Sequence, residues 1–135
     1  MGISCRVTIC ADITPQAAHD LAKIMRDWAM VEHLSASLPT AALVRVHECC
    51  ETLFFPIDTE RIAEVESGRL DIDAEVKGGD IVEVFLQEFL TDALLTLEVA
   101  CAWYEDFDSG LRWNFDEKQR TWVATECKDP NELFW

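Results

Sequence analysis

The chain has 135 residues, of which 50% are hydrophobic, and its 26 acidic side chains against 11 Lys and Arg give a net charge of -15. Its length suits one domain with a single core, and the lack of an uncharged run of about 18 residues excludes a membrane-spanning helix. So acidic a chain repels DNA, RNA and anionic lipid, which makes direct nucleic-acid or membrane binding the least expected function.

The first predicted element is a strand over residues 3–10. Apolar side chains such as Val7 and Ile9 alternate there with polar ones, which is the period of a half-buried strand. Cys5 and Cys10 are five positions apart and therefore point to opposite faces of this strand. The spacing argues against a zinc ion shared by these two cysteines.

A helix is predicted next, because Thr14 can accept a hydrogen bond as the N-cap and Pro15 suits the first helical position. We expect this helix to end before Pro39. Its apolar face is predicted from residues that recur every three or four positions, namely Leu21, Ile24, Met25, Trp28 and Val31.

Residues 41–57 return to a strand pattern and predict two short strands, the second within the run TLFFPI that stops at Pro56. A brief helix should follow, capped by Asp58 or Thr59. Gly68 is placed to close that helix in the left-handed conformation, which glycine adopts at least cost.

The stretch RLDIDAEVK, residues 69–77, alternates strictly between apolar and charged side chains. A shift of one residue would bury three carboxylates, so the register of this strand is well determined. One side carries Leu70, Ile72, Ala74 and Val76, and the other side carries Asp71, Asp73, Glu75 and Lys77.

After the glycine pair at 78–79, the chain could form a tight hairpin or begin a helix. The polar residues at 80, 83, 87, 88, 91 and 92 recur at the helical period, which favours the helix. This helix should expose Glu83, Gln87, Glu88 and Asp92 and bury Val82, Phe85 and Phe89.

The remainder predicts a meander of strands whose aromatic side chains are Trp103, Trp113, Phe115 and Trp122. Together the elements predict an α+β fold, a mostly antiparallel sheet with two or three helices packed on one face, in a single domain over 1–135. The terminal Leu133, Phe134 and Trp135 should fold back on the core, although they could also form an apolar hook for a partner.

The motifs of common enzyme classes are absent, including the nucleophile elbow, the P-loop, HExxH and the dinucleotide-binding glycine pattern. The cluster from His47 to Cys50 lacks a matching second pair of metal ligands. With no secretory signal, the six cysteines are expected to be free thiols in a cytoplasmic protein. We expect neither a cofactor nor a metal.

The excess negative charge is concentrated in the middle of the chain. The segment from Asp58 to Asp108 contains fifteen carboxylates and three basic residues, which gives it a net charge of -12. Carboxylates on one face of a strand repeat about every 6.6 to 6.8 Å, close to the phosphate spacing of a nucleic-acid strand. This pattern predicts an acidic binding protein that masks a basic, nucleic-acid-handling protein, as phage inhibitors of bacterial defence and immunity proteins of nucleases do. The candidate partner-binding residues are Asp71, Asp73, Glu75, Glu83, Glu88, Asp92, Glu105, Asp106 and Asp108.

Two other classes of function are also compatible with the sequence. Glu105, Asp106 and Asp108 lie close together in EDFDSG and could serve a small, carboxylate-based, metal-dependent enzyme, although the same sequence is typical of a polar turn. Alternatively, the aromatic meander or the C-terminal residues could form the symmetric interface of a self-associating scaffold or homodimer.

Overall fold

The computed structural model describes residues 4–26, 53–54, 57–77, 80–129 and 131. Their strands form one antiparallel sheet made of β1 (Ser4–Ile13), β2 (Arg69–Lys77), β3 (Leu94–Tyr104), β4 (Ser109–Asp116) and β5 (Thr121–Cys127). The spatial order is β2-β1-β3-β4-β5, which places β2 and β5 at the edges of the described sheet. With its helices on one face, this is the α+β architecture that the sequence predicts.

Three helical segments in the described residues cover one face of the sheet. They are α1 (Pro15–Arg26), α2 (Thr59–Glu66) and a longer segment that begins as α3 (Asp80–Phe85). After α3 the chain continues through a π-helical turn, Leu86–Leu90, and a last α-helical turn, Thr91–Ala93. We call these three pieces together the 80–93 helix. No helix among the described residues is long and apolar enough to cross a membrane.

The predicted helix boundaries are confirmed where the structure describes them. Thr14 Oγ1 accepts a 3.2 Å hydrogen bond from the Ala17 N–H at the start of α1. At α2, the Asp58 carboxylate accepts a 2.9 Å hydrogen bond from the Arg61 N–H. Gly68 follows α2 with a φ of 92°, in the left-handed region where glycine is favoured. Trp28, Val31 and the predicted end of the first helix lie outside the described residues.

The two-residue alternation of β1 and β2 places the core on the helical side of the sheet. Val7 and Ile9 of β1 and Leu70 and Ile72 of β2 are buried together with the apolar faces of the helices. Cys5 belongs to this core, whereas Cys10 lies on the opposite face and is half-buried. The second face of the sheet, which we call the open face, carries the charged residues of β2.

The 80–93 helix buries the residues expected from its helical period, and these include Val82, Phe85 and Phe89. Glu83, Gln87 and Asp92 are exposed, as predicted, whereas Glu88, which was also predicted to be exposed, is half-buried. The helix is nevertheless not a regular α-helix, because the Thr91 N–H donates to the Leu86 carbonyl five residues back. The Thr91 hydroxyl donates to the same carbonyl at 3.0 Å.

One strand prediction is wrong at the residues that the structure describes. In the run TLFFPI, Leu53 is helical and Phe54 lies in a bend, and both are buried in the core. A short apolar run without alternation does not distinguish a strand from a buried helical turn. The other predicted strand residues between 41 and 52 lie outside the described residues, and so do His47 to Cys50 and Leu133 to Trp135.

Candidate acidic interface

The acidic row of β2 lies on the open face, as the alternation predicts. Asp71, Asp73 and Glu75 are all exposed. Leu70 and Ile72, which alternate with them along the strand, are buried. β2 pairs with β1, so the neighbours of this row are the outward-facing side chains of β1. Two arginines that sequence analysis did not select therefore become part of the site.

The first of these arginines is Arg6 of β1. Its Nε and Nη2 atoms donate hydrogen bonds of 3.0 and 2.9 Å to the two carboxylate oxygens of Asp73, in a bidentate ion pair. The hydrogen bond from Arg6 lowers the pKa of Asp73 below its usual value. The hydrogen bond to Asp73, together with the charges of Asp73, Glu75 and Glu105, raises the pKa of Arg6.

The second arginine is Arg69 at the start of β2. It donates two 2.8 Å hydrogen bonds to Glu98 of β3 and longer ones to Asp12, at 3.4 Å, and Asp71, at 3.3 Å. These hydrogen bonds raise the pKa of Arg69, and the hydrogen bond from Arg69 lowers the pKa of Glu98. One guanidinium thus joins carboxylates of three neighbouring strands.

These ion pairs reduce the unpaired negative charge of the acidic row. Asp73 is neutralised by Arg6, and Asp71 shares Arg69 with two other carboxylates. In the described part of the chain, Glu75 is the member of the row that forms no ion pair with a basic side chain. The open face therefore does not carry a continuous row of three unpaired charges like that of a phosphate backbone.

Free negative charge collects instead at one end of the sheet, where β1 begins, β2 ends and the turn after β3 follows. A shallow groove at this end is lined by Arg6 and by four carboxylates, together with small side chains of β1 and β2. We call this site the acidic groove. Its charged lining consists of Arg6, Asp73, Glu75, Glu105 and Asp106.

The balance of charge in the acidic groove is negative. Arg6 satisfies the Asp73 carboxylate, while Glu75, Glu105 and Asp106 are exposed and have no ion-pair partner among the described residues. Their charges have to be screened by water and ions unless a cationic group binds. The groove can therefore accept the ammonium or guanidinium groups of another molecule.

The turn that supplies Glu105 and Asp106 is built by local backbone chemistry. A short 3-10 helix, Glu105–Phe107, ends at Asp108, whose φ of 49° is left-handed and whose N–H donates to the Glu105 carbonyl at 3.3 Å. Asp108 is exposed beside this turn and does not line the groove. No group of three or more His, Cys, Asp or Glu side chains in the described residues is arranged to hold a metal ion.

The acidic residues of the 80–93 helix do not extend the row on β2. This helix packs its apolar face against the core side of the sheet, so its exposed Glu83 and Asp92 belong to the opposite layer of the molecule. Glu88 is half-buried on the same helix, and Asp92 accepts a 2.9 Å hydrogen bond from Arg120. The nine candidate residues therefore lie on the open face, on the 80–93 helix and in the turn after β3, and four of them meet in the acidic groove.

Two cysteines of the open face, Cys10 and Cys101, are poor nucleophiles because their thiols resist ionisation. Burial raises the pKa of the Cys101 thiol to about 11, and burial together with Asp71 raises that of Cys10 to about 11. Cys101 and Cys127 pack with Val99 and Trp103 in a small apolar cluster. The four cysteines that the structure describes are unpaired, and they act here as small packing residues.

Comparison with known proteins adds no assignment of family or function. No family model matches the chain, and neither a curated protein nor a solved structure is significantly similar to it. The geometry and charge of the acidic groove are therefore the features of this chain that indicate a function.

Proposed function

We propose that this chain is a non-enzymatic, acidic binding protein that covers a basic surface of a nucleic-acid-handling protein in the cytoplasm. The observation that carries the proposal is the gathering of Glu75, Glu105 and Asp106 beside the Arg6–Asp73 pair, where none of these three carboxylates forms an ion pair with a described residue. Lysine and arginine side chains of a partner would supply the missing charge. The unpaired state of the four described cysteines supports a reducing compartment.

The net charge of -15 supports the same proposal through the kinetics of association. A strongly negative protein attracts a basic partner over roughly a Debye length, about 8 to 10 Å at physiological salt, and thereby increases the rate of encounter. Carboxylates outside the groove, such as Glu83 and Asp108, contribute to this field without contacting the partner. Contacts in the groove would then determine which basic surface binds specifically.

The test compares two triple variants with the same change in net charge. The groove variant carries Glu75→Gln, Glu105→Gln and Asp106→Asn, and the control variant carries Glu64→Gln, Glu83→Gln and Glu117→Gln at exposed positions elsewhere. Asp71 and Asp73 are left unchanged because they bind Arg69 and Arg6. Partners are captured from a host lysate on the immobilised wild-type chain, identified by mass and purified.

For a captured basic protein, we expect the groove variant to bind more than tenfold more weakly than the control, which is about 1.4 kcal/mol. Binding of the wild-type chain should weaken as salt increases. The wild-type chain should also displace a labelled DNA or RNA oligonucleotide from the partner. Equal affinities of the two triple variants would exclude the acidic groove, and undisturbed oligonucleotide binding would exclude masking of a nucleic-acid site.

A further inference from the structure

β5 is an uncovered edge strand in the part of the sheet that the structure describes. It is hydrogen-bonded on one side to β4, and its other side has no neighbouring strand among the described residues. Five of its seven residues are exposed, on both faces of the sheet, and Val123 is 51% exposed. Within the part of the chain that the structure describes, the outer backbone groups of β5 thus have no strand to pair with.

The sequence of β5 lacks the features that normally protect an edge strand. TWVATEC contains no proline, lysine or arginine, and four of its first five residues are β-branched or aromatic. β2, at the other edge, carries charged side chains at every second position, which disfavours the addition of a strand. The two edges are thus chemically different, and β5 is the edge that suits strand pairing.

We propose that two copies of this chain dimerise by antiparallel pairing of β5 with β5, around a two-fold axis that passes through Val123. In this register, Val123 lies opposite Val123 of the second copy, and the two sheets become continuous. Trp122 lies opposite Ala124, and Thr121 lies opposite Thr125. Each of these pairs combines side chains that fit across an antiparallel ladder, either two β-branched residues or a large and a small one.

The side chains that lie opposite each other select this register over its neighbour. With the axis at Val123, the paired segment runs from Thr121 to Thr125, and Arg120 and Glu126 keep their ion pairs with Asp92 and Lys128 of their own copy. A shift that moves the axis to Ala124 places Trp122 opposite Glu126, so that an aromatic ring faces a carboxylate.

The register is tested by disulfide trapping. In a Val123→Cys variant, the two new cysteines face each other across the axis with Cα atoms about 4.5 to 5.5 Å apart, within the range that a disulfide spans. In a matched Thr121→Cys variant, the new thiols are offset by four residues along the strand, about 13 Å. Mild oxidation should produce a covalent dimer of the first variant, in at least tenfold greater yield than for the second variant or the wild-type chain.

The interface itself is tested by analytical ultracentrifugation over a dilution series. The wild-type chain should show a reversible dimer, and Val123→Lys should raise its dissociation constant at least tenfold because two lysines would meet at the axis. Leu95→Lys replaces a side chain that is 62% exposed, outside β5 and outside the acidic groove, and should leave the dimer unchanged. A monomeric wild-type chain, a dimer that tolerates Val123→Lys, or equal trapping at positions 121 and 123 would overturn the proposal. The acidic groove is not altered in any of these variants, so the proposed function is tested separately.

Discussion

Arg69, on the edge strand β2, reaches across β1 and donates two 2.8 Å hydrogen bonds to Glu98 of β3. An irregularity in β3 makes this contact possible. Cys10 pairs with Val99 and the next residue, Ala11, pairs with Leu97, so Glu98 is an extra residue in a β-bulge. The bulge places Glu98 on the open face, whereas regular alternation would have directed it into the core with Ala100.

This ion pair predicts a pH-dependent contribution to stability. Arg69 lowers the pKa of Glu98 in the folded chain, so the folded state binds fewer protons than the unfolded state. The pair therefore stabilises the fold above the unfolded pKa, about 4.3, and this stabilisation is lost as the pH falls through the folded pKa. We expect Glu98→Gln to lower the free energy of unfolding at neutral pH, with a difference from wild type that shrinks in acid.

The measurement is urea unfolding at a series of pH values, with Glu117→Gln as the control. Glu117 is exposed in the β4–β5 turn, and its replacement removes the same charge. A loss of stability in Glu98→Gln that is the same at neutral pH and well below pH ~4 would contradict an electrostatic origin.

Gly68 is predicted to be intolerant of a side chain. Its φ of 92° is left-handed, and an added Cβ would lie 3.3 Å from the Ile13 carbonyl oxygen, while the Gly68 carbonyl itself accepts a 2.9 Å hydrogen bond from the Ile13 N–H. We expect Gly68→Ala to lower the free energy of unfolding by about 1 to 2 kcal/mol. Ser67→Ala, at the neighbouring position with right-handed φ and ψ, should cost less. Thermal and urea unfolding of both variants provide the comparison, and equal losses would show that backbone conformation is not the cause.

Thr91 connects the π-helical turn to β5. Its hydroxyl accepts a 3.0 Å hydrogen bond from the Trp122 indole N–H and donates one to the Leu86 carbonyl. Thr91→Val removes the acceptor of the indole N–H, and we expect a loss of about 1 kcal/mol. Thr91→Ser keeps the hydroxyl and should restore most of that stability. Urea unfolding followed by tryptophan fluorescence gives both values, and a serine variant no more stable than the valine variant would argue that the methyl group, and not the hydrogen bond, matters.

Phe85 is at the centre of the aromatic core. It is fully buried, and its ring centroid lies 6.1 Å from that of Phe54 and 5.3 Å from that of Phe89. Phe85→Ala should lower the free energy of unfolding by about 3 to 5 kcal/mol, because a cavity is left in the core. Phe107→Ala, at an exposed site, should change it by no more than about 0.5 kcal/mol. Chemical denaturation distinguishes the two, and a small effect at Phe85 would be incompatible with the packing described here.

Local patterns were sufficient to predict many elements of the fold. The N-cap at Thr14, the left-handed Gly68 and the faces of β2 each depend on a few neighbouring residues, and all are confirmed. The π-helical turn was not predicted, because the buried positions Val82, Phe85 and Phe89 have the same spacing in a regular α-helix. The helical Leu53 was missed because its apolar neighbours provide no period.

The candidate site was only partly predictable, because local patterns do not show which remote residues meet. Sequence alone identified the acidic residues and directed Asp71, Asp73 and Glu75 to one face, since alternation along a strand is a local property. It did not identify Arg6, which is 67 positions from Asp73 in the chain, as the partner of that carboxylate.

The sequence by itself thus determined the secondary structure of most described segments, the side of each strand that is buried and the overall negative charge. The tertiary structure alone decided which charges are neutralised and which remain free. The order of the strands brings Arg6 beside Asp73, and the bulge at Glu98 gives Arg69 its main partner. The physical reason is that electrostatic energy depends on distance in space, and the distance between remote residues is set by strand order and register, which local periodicity does not encode.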